Sequence, residues 1–138
     1  MKKHMSIIFI VMLLFSFITA CEGSTKPSKT LDVTMTDFSF SPNSFTVPAG
    51  EQVTFSATNN GAVVHSFIIM KSGIKVTGHF SDFDKGNIYW KIEQIAPGRS
   101  VKDTFISPDK PGEYQIICGV AGHFEAGMLA KLIVVQQP

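Results

Sequence analysis

The sequence predicts an all-β sandwich built as one domain. Apolar and polar residues alternate in several stretches, as expected of strands that bury one face. Turns rich in proline, glycine and asparagine divide these stretches into pieces of strand length. Beyond the N-terminal apolar run, no segment has the period of an amphipathic helix, so packed sheets are the predicted architecture. The 138 residues suffice for one core and are too few for two ordinary domains.

Residues 1–20 are predicted to be an export signal. Two lysines precede the apolar run Ile7–Ile18, which is shorter than the roughly 20 residues that a membrane-spanning helix needs. The sequence ITAC, which ends at Cys21, resembles the lipobox of bacterial lipoproteins, where the cysteine is acylated on its sulfur and becomes the mature N-terminus. We therefore expect lipid attachment at Cys21. The alternative is an ordinary signal peptide followed by an incidental cysteine.

A polar tether is predicted between the signal and the folded domain. It spans residues 21–30, where EGSTKPSKT follows the cysteine and offers nothing to bury, and the domain spans residues 31–138. The whole chain has a formal net charge of +1, and removal of the signal leaves 10 basic and 11 acidic residues. Because this balance is nearly neutral, we expect no nucleic-acid partner.

The first half of the domain is predicted to form successive strands. Leu31–Met35 alternates, and Phe38 and Phe40 continue an alternation up to the turn Ser41-Pro42-Asn43. Phe45–Val47 is short and stops at a second turn, Pro48-Ala49-Gly50. Gln52–Asn59 alternates again and ends at an Asn-Asn-Gly turn. Val63–Met70 is a dense apolar run, which predicts a mostly buried central strand.

The second half of the domain begins with the segment that is hardest to interpret. Lys71–Gly98 has no sustained period and is expected to form a long excursion with one short helix or strand at Tyr89–Ile92. Arg99–Ile106 and Tyr114–Cys118 alternate around a Pro-Gly turn, and Leu129–Val135 is an apolar, β-branched strand that closes the domain.

The candidate functional residues lie mainly on the loop before the last strand. Cys118, His123 and Met128 follow one another at five-residue steps, and His65 opens the predicted central strand. A thiolate and two imidazoles with a weak axial thioether suit a blue-copper electron-transfer centre. Each residue also has a structural alternative: a buried core thiol, a hydrogen-bonded histidine or a core methionine. His79 is expected to be solvated.

The cysteines and three aromatic residues lead to structural expectations. Because Cys21 and Cys118 each have a context of their own, we expect no disulfide. Tyr114 is expected to bond its hydroxyl to nearby backbone, as at Greek-key corners. Trp90 and Tyr89 are expected to cover one sheet.

The domain resembles the cupredoxins, the small blue-copper proteins that include plastocyanin, azurin, rusticyanin and sulfocyanin. The resemblance covers Leu31–Val135 apart from Lys71–Gln94, and rests on three phrases: FSFSPNSFTVPAGEQVTFSATNNGAVVHSF, APGRSVKDTF and PGEYQIICGVAGHFEAGMLAKLIVV. It implies an eight-stranded Greek-key sandwich with one mononuclear type 1 copper ion near one end. The ligands it implies are His65, Cys118, His123 and axial Met128.

The spacing of the last three implied ligands, with four residues in each gap, is closest to the rusticyanin and sulfocyanin type. Ser66 departs from the pattern, since many members have asparagine after the first histidine. That asparagine ties the two ligand loops together by hydrogen bonds.

The function that follows is electron transfer. We expect an exported, lipid-anchored type 1 copper protein that carries single electrons between redox partners. The partners would dock on apolar surface near His123, beside Val120 and Phe124. The location expected is the outer face of the cytoplasmic membrane or the periplasm, and the expected state is a monomer.

Two other classes of function compete with electron transfer. A copper-binding module that stores or delivers copper without redox cycling is the alternative, although a closed thiolate site holds its metal tightly. An enzyme is not expected, because a copper nitrite reductase or multicopper oxidase needs further copper centres and domains that this chain lacks.

Overall fold

The computed structural model describes residues 26–137, and these form nine strands and one short 3₁₀ helix. The strands are β1 (Thr30–Thr36), β2 (Ser39–Ser41), β3 (Ser44–Pro48), β4 (Gln52–Asn59), β5 (His65–Met70), β6 (Ile88–Ile95), β7 (Ser100–Ile106), β8 (Gly112–Ile117) and β9 (Leu129–Val135). The 3₁₀ helix spans Asp82–Asn87, between β5 and β6.

Two mixed sheets face each other. One has the strand order β2-β1-β4-β7 and the other the order β3-β9-β8-β5-β6. The pairs β1–β4 and β3–β9 are parallel, and the other pairs are antiparallel. The predicted all-β Greek-key sandwich is therefore confirmed. The described residues hold nine strands where the resemblance implied eight, because the three-residue β2 adds an edge to the first sheet.

Alternation places the core between the sheets. In β1 and β4, every second residue is buried and the others face outward. Phe67 lies at the centre, fully buried, with its ring centroid 4.8 Å from that of Phe55, 5.3 Å from that of Phe40 and 6.2 Å from that of Phe45. The pairs with Phe40 and Phe55 join the two sheets through edge-to-face and tilted contacts, whereas Phe45 and Phe67 belong to the same sheet.

Strand β5 is buried at all six positions because both of its faces are covered. The outer face lies beneath the excursion that follows it, where Ile68, Met70 and Ile117 pack with Val76 in a second apolar cluster. Gln115 clamps this excursion: its Oε1 accepts the Val76 N–H at 2.7 Å, and its Nε2 donates to the Val76 carbonyl at 3.3 Å. The segment without a readable period thus covers the outer face of β5, which is interior as predicted but lies between β8 and the edge strand β6, not at the centre of its sheet.

The short element expected at Tyr89–Ile92 belongs to a longer edge strand, β6. Trp90 is half-buried and stacks on Phe105, with ring centroids 4.6 Å apart. Tyr89 beside it is exposed, so the two residues do not cover one sheet together as predicted. Tyr114 donates its hydroxyl to the Lys110 carbonyl at 2.7 Å, which confirms its predicted bond to nearby backbone.

The predicted signal and the lipid site at Cys21 lie outside the described residues. The described part of the predicted tether lies against the sandwich, since the Ser28 N–H donates to the Thr46 carbonyl at 2.8 Å and Lys29 pairs with Glu51 at 3.0 Å. Within residues 26–137, no helix has the length and apolar character that crossing a membrane requires.

Candidate metal centre

Three strand ends bring the candidate ligands to one end of the sandwich. His65 is the first residue of β5, Cys118 follows the last residue of β8, and Met128 precedes the first residue of β9. Because β8 runs antiparallel to both β5 and β9, the start of those two strands and the end of β8 coincide. The topology therefore gathers residues that are up to 63 positions apart in the chain.

The side chains of His65, Cys118 and His123 converge on a single point. The two Nδ1 atoms of the histidines lie 3.1 Å apart, and the Cys118 Sγ lies 3.5 Å from the His123 Nδ1. One donor atom from each residue lies within 4.8 Å of the other two. His65 and Cys118 are fully buried, and His123 is 8% exposed. His79 is exposed on the excursion, outside this cluster.

Met128 is fully buried and is held beside the same cluster by its backbone. Its carbonyl accepts the Cys118 N–H at 3.1 Å, and its own N–H donates to the His123 carbonyl at 3.0 Å. Two glycines in the loop, Gly122 and Gly127, adopt φ values of +83° and +96°, which only glycine adopts readily. The chain can therefore turn tightly enough to return to its starting point within ten residues.

The environment of His123 favours a neutral imidazole. Burial lowers its pKa below the ordinary value, and the nearby His65 lowers this pKa further. A neutral imidazole has a free lone pair, which is the form that binds a metal ion.

Ser66 ties the two ligand loops together. Its Oγ accepts the Gly119 N–H at 2.7 Å, its backbone N–H donates to the Cys118 Sγ at 3.4 Å, and its Oγ lies 3.7 Å from the same sulfur. The β5–β6 register shifts opposite Ser66: β5 advances two residues from His65 to Phe67 while β6 advances three from Ile92 to Ile95, so the extra residue lies on β6. Ser66 thus joins the start of β5 to the loop after β8.

Asp37 was missed by the sequence analysis, yet its carboxylate contacts a candidate ligand. Its Oδ1 lies 2.9 Å from the His65 Nε2, and its Oδ2 accepts the Ala62 N–H at 2.8 Å. The Ala62 bond is the main cause that lowers the pKa of Asp37, against which partial burial acts. In the sequence, Asp37 follows a strand as many turn residues do, so no local signal marks it.

Phe38 was also missed. Its ring is 42% exposed and stands edge-on to the His123 ring, with centroids 4.7 Å apart. Its centroid is 6.5 Å from that of His65. One turn, between β1 and β2, therefore supplies contacts to both histidines.

The donor set and its spacing fit copper. Metal–nitrogen and metal–sulfur bonds of about 2.0–2.3 Å, as in zinc sites, place donor atoms around one ion about 3–4 Å apart. The measured separations of 3.1 and 3.5 Å agree with this range. Two imidazoles, one thiolate and a thioether are the donors typical of blue copper. One mononuclear type 1 copper ion is thus the cofactor that this fold and cluster fit.

Comparison with known proteins agrees with the fold and the cluster. The family model of the cupredoxin-like domain matches residues 6–134. The copper-resistant cuproprotein CopI of Rubrivivax gelatinosus is 31% identical over 120 residues, which cover 80% of this chain and 69% of that protein. The structure of reduced auracyanin from Roseiflexus castenholzii superposes with a TM-score of 0.69 at 26% identity, over 80% of this chain and 99% of the auracyanin. Auracyanin A, a "blue" copper protein from Chloroflexus aurantiacus, superposes with a TM-score of 0.64 at 28% identity, over 80% and 100% of the two chains.

Since the family model spans most of the chain and the two-sheet architecture agrees with it, the chain belongs to the family of cupredoxin-like domains.

Proposed function

We propose that the protein is an exported type 1 copper protein that carries single electrons between redox partners. His65, Cys118 and His123 would bind the ion through Nδ1, Sγ and Nδ1, and Met128 would contribute its thioether. The observation that carries the proposal is the buried cluster of these nitrogen and sulfur atoms within 4.8 Å of one another. Copper at such a site supplies one-electron chemistry.

The chain's own contribution is to hold its ligands still. Electron transfer is fast when the ligands move little between the two oxidation states, and these ligands are fixed by strand ends and by the backbone bonds of the loop. The Ser66 N–H points at the Cys118 sulfur, where it supports a thiolate and tunes the electron density on it. Burial excludes water from the same sulfur.

A docking surface for a redox protein is proposed around His123. Phe38 and Val63 are 42% and 40% exposed. Val120 and Phe124 are half-buried and lie close to His123 in the sequence. Apolar surface of this kind suits the small, short-lived interfaces of electron-transfer partners. Phe38 contacts the His123 ring directly, so a partner that covers Phe38 would lie close to the ligand.

A second function is favoured by one observation. The relative from Rubrivivax gelatinosus is named a copper-resistant cuproprotein, which supports storage or delivery of copper as the alternative role. The buried cluster argues for electron transfer, because a site with little exposure and a thiolate ligand releases its ion slowly.

The test uses the full-length protein loaded with copper, together with two matched cysteine variants. Wild type and Cys21→Ser are expected to be intensely blue and to pass reversibly between oxidised and reduced forms, whereas Cys118→Ser is expected to lose the colour. A colourless loaded wild type that hands its copper to a metal-free acceptor would refute electron transfer and favour delivery.

Export, lipid anchoring and a monomeric, non-enzymatic role complete the proposal. The lipobox-like ITAC sequence supports export and lipid anchoring, and the single cluster of metal-binding side chains in residues 26–137 supports one mononuclear centre. The anchored domain would lie on the outer face of the cytoplasmic membrane or in the periplasm. Cys21→Ser is expected to leave the membrane fraction, and a variant that still sediments with membranes would contradict the lipid anchor.

A further inference from the structure

The carboxylate of Asp37 bridges the two sheets at the end where the ligands meet. Asp37 follows β1 in the first sheet, and His65 opens β5 in the second. The Asp37 Oδ1 lies 2.9 Å from the His65 Nε2, on the side of the imidazole opposite the Nδ1 that faces His123. An ionised carboxylate can only accept hydrogen bonds, so the His65 Nε2 carries the proton and its Nδ1 keeps a free lone pair.

Gly61 packs closely against the hydrogen bond between Asp37 and His65. A Cβ on Gly61 would lie 2.2 Å from the Asp37 Oδ1 and 2.9 Å from the His65 Nε2. Such distances are too short for any side chain, so glycine at this position is required by the Asp37–His65 contact. The amide of Asn59 holds the same loop, since its Oδ1 accepts the Gly61 N–H at 2.8 Å and its Nδ2 donates to the Val63 carbonyl at 2.8 Å.

Asp37 and the residues next to it make several contacts that order this turn. The second carboxylate oxygen accepts the Ala62 N–H at 2.8 Å. The hydroxyls of Thr36 and Ser39, which flank the turn, lie 2.7 Å apart. The next residue, Phe38, packs edge-on against His123. The carboxylate is thus bonded at both oxygens, one to Ala62 and one to His65.

We infer that Asp37 is a positioning residue for the copper centre: it fixes the tautomer and the ring orientation of His65 and makes its Nδ1 a stronger donor to oxidised copper. The inference rests on the proposed ligation by His65. A carboxylate behind a metal-bound imidazole raises the basicity of that ligand, and loss of such a partner typically weakens metal binding about 10–100-fold. Extra electron density on the His65 Nδ1 favours the more highly charged ion. Loss of the Asp37 carboxylate would therefore weaken binding of oxidised copper more than binding of reduced copper.

The experiment compares Asp37→Asn and Asp37→Ala with wild type, and uses Asp32→Asn as the control. Asp32 is exposed on β1, five residues before Asp37. Asparagine keeps the shape but not the charge, and since His65 and Ala62 bond different carboxylate oxygens, its one oxygen and one NH₂ group would present a donor to one of the two partners. We expect affinity for oxidised copper to fall about tenfold in Asp37→Asn and more in Asp37→Ala. Each tenfold preferential loss raises the reduction potential by about 59 mV for one electron.

A second measurement does not depend on copper. Nitrogen-15 NMR of the metal-free protein reports the tautomer of each imidazole, and we expect His65 to carry its proton on Nε2 in wild type and Asp32→Asn, and to become a mixture in Asp37→Ala. A Gly61→Ala variant should disturb the same bond from the other side and raise the potential in the same direction.

The outcomes separate the two proposals. If the loaded wild type is blue but both Asp37 variants keep its potential and its His65 tautomer, the positioning role is wrong and the ligation stands. A loaded wild type that is colourless refutes the proposed function itself. An Asp37→Ala protein that does not fold leaves Asp37→Asn and the tautomer measurement to decide.

Discussion

Replacement of Ser66 by alanine tests whether one hydroxyl holds the two ligand loops together. In the structure the Ser66 Oγ accepts the Gly119 N–H at 2.7 Å, and Ser66 is only 6% exposed. Alanine removes this acceptor but keeps the backbone N–H that points at the Cys118 Sγ. The change should therefore act on stability and leave the ligands in place.

The expected size follows from the burial of the bond. A buried donor that loses its acceptor costs about 1–3 kcal/mol of unfolding free energy. In a domain of this size, 1 kcal/mol corresponds to about 4 °C in Tm, so Ser66→Ala should lower the Tm of the metal-free protein by about 4–12 °C. The blue colour of the loaded protein should remain, because no ligand has changed.

The assay is thermal unfolding followed by circular dichroism, with Ser100→Ala as the control. Ser100 makes a hydroxyl bond of similar length, 2.8 Å to Thr58, but at an exposed position, so its loss should cost no more than about 0.5 kcal/mol. Equal Tm values for the two variants would refute the reasoning that Ser66 joins the loops. Loss of colour in Ser66→Ala would also contradict it.

Three further predictions concern the core and the cover over β5. Phe67→Ala should lower the unfolding free energy by about 3–5 kcal/mol, measured by urea titration, because it empties the centre of the aromatic core. Gln115→Ala should speed hydrogen exchange and proteolysis in the excursion around Val76 while the colour is kept, since it removes both clamping bonds. Gly119→Ala should cost about 1–3 kcal/mol in the same titration, because its Cβ would lie 2.5 Å from the Ile68 Cδ1; a neutral result would mean that Ile68 moves aside.

Several elements could be predicted because their signals are local. The bounds of β4 and β9 agree with the predicted strands Gln52–Asn59 and Leu129–Val135, and β5 is buried as its apolar run predicted. The excursion after β5 could not be predicted, because its apolar residues pack on a distant strand face and follow no period of their own. Its role became visible only with Gln115, which is 39 residues from Val76.

Some residues of the candidate site could likewise be predicted from the sequence and others could not. The five-residue steps of Cys118, His123 and Met128 were readable because they lie on one loop, and His65 was selected by chemistry. Asp37 and Phe38 were not found, since a turn residue in one sheet acquires a role only when the other sheet is packed against it.

The sequence by itself determined the strand pattern, the fold class and the kinds of donor atom available, because period-two alternation and residue chemistry are properties of short segments. Only the tertiary structure decided which strand ends coincide, that Ser66 meets Cys118 and Gly119, and that Asp37 reaches His65. The physical reason is that these contacts depend on long-range strand register, and a register shift of a single residue would turn each side chain to the opposite face of its sheet.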